Sequence, residues 1–335
     1  MKVNAGKWFL LSGGLLVILL FSSVMSLLVG EELDIDLFKV FSLLFGGGDP
    51  ESAEYMLVRQ VRMPRIILGI AVGGSLSLSG LILQGIYRNP LVEPFTLGIS
   101  GGASLGVALV IVFGLHHIAG EFLLPAAGFL GALFVVIVVY ILGTGYGKTD
   151  VTRMLLTGVM VSFIASSVLM LLMSLSNAND LQGIIFWTMG SLDEPNQMLI
   201  VLSMVVAIAG LIISYLFVKP LNAMRLGEDK AMHLGINTNR SIKMLFLLAS
   251  LMSGVSVAVA GVIGFVGLIV PHFLRLVFGS DYRILLVSSF LVGGSFLVLS
   301  DIIARTILLP NELPIGVITG IIGGTIFILI MNRKK

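Results

Sequence analysis

Long runs of apolar residues, separated by short polar stretches, recur along the whole chain of 335 residues. A helix that spans a lipid bilayer needs about 20 mostly apolar residues, with a tolerated range of about 17–25. With charged residues and prolines taken as boundaries, the pattern predicts ten such helices. They lie at approximately 8–29, 64–84, 95–114, 122–143, 154–175, 198–218, 244–262, 264–278, 284–300 and 315–331. The sequence therefore predicts an all-α, polytopic membrane protein, with a single transmembrane domain over residues 1–335.

The eighth segment, 264–278, departs most from this pattern. It follows the seventh segment almost without polar interruption, and it contains Gly264, Gly267 and Pro271. A short or broken helix at membrane depth is tolerated only where protein or a cavity satisfies its backbone groups. We therefore expect a short or interrupted helix here, with limits that the pattern does not set.

The composition excludes soluble globular proteins and intrinsically disordered chains. Hydrophobic residues make up 57% of the chain and charged residues only 11%, whereas a soluble domain carries about 25% charged residues. High hydrophobicity also excludes an intrinsically disordered chain. The absence of cysteine excludes disulfides and thiolate metal sites. A net charge of +2 offers no support for nucleic-acid binding, which needs a basic face.

The distribution of the 20 Lys and Arg residues predicts the orientation in the membrane. If the N-terminus is cytoplasmic, most basic residues fall in inside segments and most acidic residues fall outside. The positive-inside rule then favours a multi-pass protein of the cell (cytoplasmic or inner) membrane with both termini inside. The first segment could instead be a cleaved signal peptide, but its apolar run exceeds the usual 7–15 residues and no A-x-A-like site follows it.

Nucleotide and catalytic motifs are absent from the sequence. The segment 143–149 resembles a phosphate-binding loop, but Leu142 stands where the P-loop pattern requires its first Gly. The four histidines form no H-E-x-x-H motif. We therefore expect no cofactor, no metal and no catalytic residue, with a metal role for His116 and His117 as the weaker alternative. Any ATP hydrolysis then has to come from a separate subunit.

Ionisable groups cluster at the ends of the predicted spans rather than in their middles. An ion-coupled carrier usually has at least one ionisable group within a span. This distribution argues against an ion-coupled secondary carrier, which we keep as the alternative function from another class.

A first polar stretch, residues 31–65, lies on the predicted outer side. Arg59, Arg62 and Arg65 recur every three residues, so on a helix they would share one face. Arginines at a headgroup boundary can simply extend to water, yet basic residues outside are the ones that membrane topology disfavours. The alternative to snorkelling is therefore an acidic partner for these arginines.

The longest predicted cytoplasmic segment is residues 219–243, which we call the inner loop. It mixes charges with five apolar residues: Leu221, Met224, Leu226, Met232 and Leu234. These suffice for one or two short amphipathic helices, and Gly235 fits a helix stop. Because a solvated loop does not need apolar residues, we expect a docking surface for a soluble cytoplasmic subunit. A simple linker is the alternative.

Two smaller polar stretches also stand out. Residues 301–314, on the predicted outer side, carry Arg305 and two prolines, and form either a short surface helix or an ordinary reverse loop. Residues 88–94, on the predicted inner side, contain two prolines that force a rigid, extended turn.

Several blocks of sequence, in order along almost the whole chain, resemble one known family. They are V-R-M-P-R-I-I-L-G-I-A-V-G-G-S-L-S-L-S-G-L-I-L-Q-G from Val61, R-N-P-L-V-E-P-F-T-L-G-I-S-G-G-A from Arg88, L-G-E-D-K-A-M-H-L-G-I from Leu226, V-A-G-V-I-G-F-V-G-L-I-V-P-H-F-L-R-L from Val259, L-S-D-I-I-A-R up to Arg305 and E-L-P-I-G-V-I-T-G from Glu312. Together they resemble the iron-siderophore, haem and cobalamin permeases of binding-protein-dependent ABC importers, whose fold is that of the cobalamin permease (type II).

The resemblance implies a permease of about ten spans that is not itself an enzyme. Its partners would be a second permease subunit (a second copy or a paralogue), two cytoplasmic ATP-binding subunits, an extracytoplasmic substrate-binding protein and the lipid bilayer. The implied substrate is an iron chelate of the siderophore type, with cobalamin, haem or an oxyanion as alternatives. No nucleic acid is expected.

The resemblance also assigns roles to individual residues. Arginines that meet acidic residues of the binding protein fall on Arg62, Arg65 and Arg305. Coupling to the ATPases falls on Leu221, Arg225, Gly227, Glu228, Asp229, Lys230, Leu234 and Gly235. Cytoplasmic gate segments fall on Asn89 and Leu91 and on Val151 and Thr152.

Overall fold

The computed structural model describes residues 5–30, 36–47, 49–115, 120, 122–144 and 149–332. This part of the chain is built from helices. They are α1 Ala5–Leu28, α2 Leu37–Leu44, α3 Ala53–Ile86, α4 Ile99–Val112, α5 Leu123–Gly143, α6 Val151–Leu175, α7 Ala178–Met189, α8 Gln197–Leu216, α9 Val218–Met224, α10 Glu228–His233, α11 Thr238–Ala260, α12 Val266–Phe278, α13 Tyr282–Thr306 and α14 Ile315–Asn332. A 3₁₀ turn, Pro94–Leu97, precedes α4.

Each of the ten apolar segments falls on one of these helices. Seven of the helices are long and apolar enough to cross a membrane, and α4, α12 and α14 are shorter apolar helices. The all-α, polytopic fold predicted from the sequence is confirmed. The phosphate-loop-like residues 145–148 and the histidines His116 and His117 lie outside the described residues.

Helices α2 and α7 were not among the predicted elements, and α3 begins well before Pro64. Residues 57–62 of α3 form a π-helical stretch, Leu57–Arg62, between two α-helical parts. The chain is therefore helical through most of the polar stretch that carries Arg59 and Arg62.

Helix α3 lies at the centre of the molecule. It packs against α8, α11, α12 and α13, and 89% of its most apolar 18 residues are buried. A Cβ at Gly73 would lie 2.3 Å from the carbonyl oxygen of Gly293 in α13, and one at Gly80 would lie 1.9 Å from that of Gly267 in α12. Glycine at these positions lets the backbones touch, which is how helices pack closely in lipid.

Helices α4 and α5 form a second close pair beside this centre. A Cβ at Gly102 would lie 2.5 Å from the carbonyl oxygen of Gly131, and one at Gly131 would lie 2.1 Å from that of Gly102. Helix α6, in contrast, has only 11% of its most apolar stretch buried within this chain. Its apolar side chains are therefore open to lipid or to another subunit.

The connection between α11 and α12 is short and irregular. Five residues separate Ala260 from Val266, and the last of them, Phe265, has a left-handed backbone with φ +69°. Helix α12 has 13 residues and contains Pro271 in its interior. Of the residues that marked the eighth segment, Gly264 therefore lies in this connection, whereas Gly267 and Pro271 belong to the short helix.

Candidate functional site

At the predicted outer end, four buried charges and one partly exposed charge from distant parts of the chain form one cluster, which we call the arginine cluster: Arg62, Arg65, Asp301, Arg305 and Glu312. Arg65 lies 3.2 Å from a carboxylate oxygen of Asp301 and 2.7 Å from one of Glu312. Arg305, one helical turn after Asp301 in α13, lies 2.9 Å from its other carboxylate oxygen. Asp301 therefore serves two arginines at once and ties α3 to α13.

The arginines of α3 also reach the ends of the two preceding helices. Arg62 donates to the carbonyl oxygen of Leu27 at 2.5 Å, in the last turn of α1. Arg59 donates to the carbonyl oxygen of Leu43, at 3.1 Å, and to that of Leu44, where α2 ends. The last carbonyls of a helix have no partner within it and carry partial negative charge. The arginines of α3 therefore cap α1 and α2.

The three arginines predicted to dock a binding protein lie close together but point inwards. The exposed fractions of Arg62, Arg65 and Arg305 are 1%, 6% and 5%. The sequence left two alternatives for the arginines of α3, snorkelling or an acidic partner, and the structure places two acids of the same chain beside Arg65. Glu312 is the most exposed member of the cluster, with 44% of its side chain accessible. Docking to a second protein stays a prediction.

At the predicted inner end, the inner loop divides into a fixed part and an exposed part. Leu221 and Met224 of α9 are 1% and 2% exposed. Asn222 donates to Asp281 at 3.0 Å and accepts from the backbone N–H of Tyr282 at 3.2 Å. Helix α9 is thus fastened to the turn between α12 and α13.

The part of the inner loop around α10 presents apolar side chains to solvent. Leu226, Met232 and Leu234 are 59%, 53% and 64% exposed. Gly227 and Gly235 bracket the helix with left-handed backbones, at φ +110° and +79°. Of the residues assigned to ATPase coupling, Leu221 is therefore buried, while the surface carries Leu234 together with Arg225, Asp229 and Lys230.

Each predicted gate segment makes a polar contact with the region of the inner loop. Arg88, which directly precedes Asn89, lies 3.5 Å from Glu228 at the start of α10. Thr149, just before Val151 and Thr152, donates its backbone N–H to the side chain of Asn239 at 3.1 Å. Val151 is the first residue of α6. The two segments thus lie beside the inner loop, at different points.

A buried polar site that the sequence analysis missed lies between α3 and α12. Proline has no N–H, so Pro271 leaves the carbonyl oxygen of Gly267 without its bond within the helix. Gln84 of α3, which is 3% exposed, donates to that oxygen at 3.1 Å. Arg275 donates in turn to the side-chain oxygen of Gln84 at 2.6 Å. The proline inside an apolar segment is the signal in the sequence for a carbonyl oxygen without its helical bond. It does not identify Gln84 as the donor to that oxygen.

Glu93 is a second residue that the sequence analysis did not single out. Its carboxylate accepts the backbone N–H of Phe265, and burial raises the pKa of Glu93 to about 7, against the opposing effect of that hydrogen bond. Its carbonyl oxygen accepts from the N–H of Thr96 at 3.1 Å and so starts the 3₁₀ turn. Among the described residues, no group of three or more His, Cys, Asp or Glu is placed to hold a metal ion.

The structure thus has buried charges at one end of its helices and exposed apolar side chains in the inner loop at the other. The sequence pattern of the FecCD transport family matches residues 17–333. The chain belongs to the FecCD transport family. It is the permease of a type II ABC importer, a multi-pass membrane protein of the transport machinery.

Relatives of this permease are named for different substrates. The chain is 35% identical to the hemin transport system permease of Yersinia pestis, over 82% of this chain and 83% of that protein. It is 36% identical to the cobalamin import system permease of Halobacterium salinarum, over 86% and 76%. A solved structure of an inward-facing metal-chelate type ABC transporter is similar, with a TM-score of 0.84 and 29% identity over 96% of this chain and 99% of that one.

Proposed function

We propose that the permease translocates an iron chelate of the siderophore type. An extracytoplasmic binding protein delivers the chelate and separate ATP-binding subunits power the step. The exposure of Leu226, Met232 and Leu234 on the inner loop carries the part of the proposal that concerns the ATP-binding subunits. The likeness to a metal-chelate type transporter supports the choice of cargo. Exposed apolar side chains among charges are typical of a surface that another protein covers. Cobalamin, haem and an oxyanion are the alternative cargoes.

The ATP-binding subunits would contact the permease at the inner loop and displace this loop. Helix α9 is held against α13 by Asn222, so force applied to the loop reaches the helical core. We place the inner loop and both termini on the cytoplasmic side, because most Lys and Arg residues then lie inside. Leu234 and the charged surface residues around it are the proposed contacts.

A second permease subunit, either another copy or a paralogue, would cover part of the exposed apolar surface. Helix α6 supports this proposal, since only 11% of its most apolar stretch is buried within this chain. The substrate pathway would lie between the two subunits, near the gate segments at Asn89, Leu91, Val151 and Thr152.

Reconstitution into vesicles tests the proposed function. The permease is reconstituted with and without its ATP-binding subunits, and binding protein loaded with a ferric siderophore, haem, cobalamin or an oxyanion is added outside. We expect uptake of the siderophore only with ATP and the ATP-binding subunits. Uptake driven by an ion gradient without ATP would overturn the proposal in favour of a secondary carrier. Uptake of another cargo would overturn only the substrate assignment.

Capture of the binding protein tests the docking role proposed for Arg62, Arg65 and Arg305. Reversing two of these charges, in the double variant Arg62→Glu and Arg65→Glu, is expected to weaken capture in a pull-down. Both arginines also hold helices together, so Asp301→Asn is the matched control: it disturbs the same cluster and leaves its positive charges in place. Capture is compared at equal amounts of folded permease, and equal losses in the two variants would then overturn the docking role.

A further inference from the structure

The turn formed by residues 88–93 touches two distant parts of the permease, one at each end. At its first residue, Arg88 lies 3.5 Å from Glu228, which starts α10 in the inner loop. At its last residue, the carboxylate of Glu93 faces the backbone N–H of Phe265, just before α12. The next residue, Pro94, packs on α12 itself, since a Cβ at Gly267 would lie 3.2 Å from its Cδ. The turn therefore bridges the exposed part of the inner loop and the abrupt start of α12.

The turn is stiff along its length. The side chain of Asn89 accepts the backbone N–H of Leu91 at 3.0 Å, and Val92, which is 2% exposed, anchors the turn in the core. Prolines at positions 90 and 94 fix two backbone angles. A displacement applied at Arg88 is therefore carried along the turn rather than absorbed in it.

Phe265 connects the far end of the turn to α14. Its backbone is left-handed, with φ +69°, a conformation that residues other than glycine rarely adopt. A Cβ at Gly323 would lie 2.6 Å from the Cβ of Phe265, and one at Gly324 would lie 3.8 Å from its ring. Phe265 is thus held between the carboxylate of Glu93 and the backbone of α14.

We propose that the 88–93 turn transmits movement of α10 to Phe265 and α14, with Arg88 and Glu93 as positioning residues at its two ends. The inference rests on the proposed function, because α10 moves only if an ATP-binding subunit engages the inner loop. Coupling between sites requires a contiguous set of contacts whose arrangement both sites can bias. Here that set runs from Glu228 through the turn to Phe265.

A charge swap tests the first end of the turn. Side chains of Arg88 and Glu228 are 46% and 37% exposed, and such pairs add little to stability. We expect Arg88→Glu to assemble and melt like the parent, but to transport about two- to fivefold less substrate per ATP hydrolysed, the fold-change that corresponds to the energy of such a pair. Adding Glu228→Arg is expected to restore most of that ratio.

The matched control for the first end is Arg283→Glu, the same charge reversal at an exposed arginine at the start of α13. It is expected to keep the parental ratio of substrate to ATP. Parental coupling in Arg88→Glu, or a double variant no better than that single variant, would overturn the proposal.

Two substitutions test the far end of the turn. Glu93→Gln keeps an oxygen that accepts the N–H of Phe265, whereas Glu93→Ala removes it. We expect the glutamine variant to couple like the parent and the alanine variant to lose coupling as Arg88→Glu does. Parental coupling in the alanine variant would overturn the role of this end.

A labelling experiment distinguishes movement of the turn from a purely structural role of Arg88. The chain has no cysteine, so Leu91→Cys provides one reactive site, at a position that is 50% exposed. We expect its rate of maleimide labelling to change when ATP and vanadate trap the complex, and this change to shrink by at least half with Arg88→Glu. A rate that does not respond to nucleotide in an otherwise parental, transporting complex would overturn the moving turn. An absence of ATP-driven uptake in the parent would instead contradict the proposed function itself.

Discussion

The arginine cluster and the inner loop use similar residues in opposite ways. In the arginine cluster, the side chains of Arg65, Asp301 and Arg305 are 7%, 3% and 6% exposed and form ion pairs with one another across α3 and α13. In the inner loop, the paired side chains of Arg88 and Glu228 remain largely open to solvent, beside exposed apolar residues. Burial therefore decides whether a charge holds the fold or stays available to a partner.

The largest effect is expected for Asp301→Asn, which removes the negative charge that two buried arginines share. Removing one partner of a buried ion pair costs about 3–5 kcal/mol, measured here as the loss of unfolding free energy in detergent. Lys39→Gln is the control, since Lys39 pairs with Glu54 at an exposed site, with side-chain exposures of 51% and 31%, and exposed pairs are worth about 0–1 kcal/mol. Similar losses in both variants would break the comparison.

A substitution at Gln84, which is buried away from the arginine cluster, tests whether burial alone determines the loss of unfolding free energy. Gln84→Leu leaves the carbonyl oxygen of Gly267 without its donor, and an unsatisfied buried group costs about 1–3 kcal/mol. Pro271→Ala gives α12 its own N–H for that oxygen. The cost of Gln84→Leu, measured by unfolding in detergent, is therefore expected to be smaller in the Pro271→Ala background. Identical costs in both backgrounds would contradict this account.

Glu93 is intermediate in burial between the arginine cluster and the inner loop. The pH dependence of stability therefore adds a third case to the comparison of these two regions. Its pKa is raised from 4.5 to about 7, so the folded chain keeps this proton to higher pH than the unfolded chain does. The parent therefore loses stability as the pH rises from about 4.5 to about 7. Glu93→Gln lacks this loss, and its Tm is expected to exceed that of the parent at pH 8 and to converge with it at low pH. A Tm difference independent of pH would rule this out.

The smallest effect on stability is expected in the exposed part of the inner loop. A triple change, Leu226→Ser with Met232→Ser and Leu234→Ser, is expected to alter the free energy of unfolding by no more than about 0.5 kcal/mol per substitution. The same variant is expected to lose capture of the ATP-binding subunits in a pull-down. Leu221→Ser, at a buried position of the same loop, serves as the contrast and should destabilise the chain. Retained capture by the triple variant would contradict the docking surface.

The sequence predicted the helices of the core well because a spanning helix has to be long, apolar and hydrogen-bonded within itself. It did not reveal α2 or α7, which are short and carry polar residues. The sequence also did not predict that Arg65 points inwards, because its partner Asp301 lies 236 positions away along the chain. A local rule identified the break at Pro271, but not Gln84, which lies 183 positions from Gly267.

The central position of α3 has a consequence for how the protein is made. Helix α3 leaves the ribosome early, roughly 150 to 200 residues before α11 and α13, which later enclose it. At about 5–20 residues per second it waits about ten to forty seconds for the helices that later bury Arg65, Ser77 and Gln84. Polar substitutions on α3 should therefore lower the yield of inserted protein before they affect the stability of the finished one.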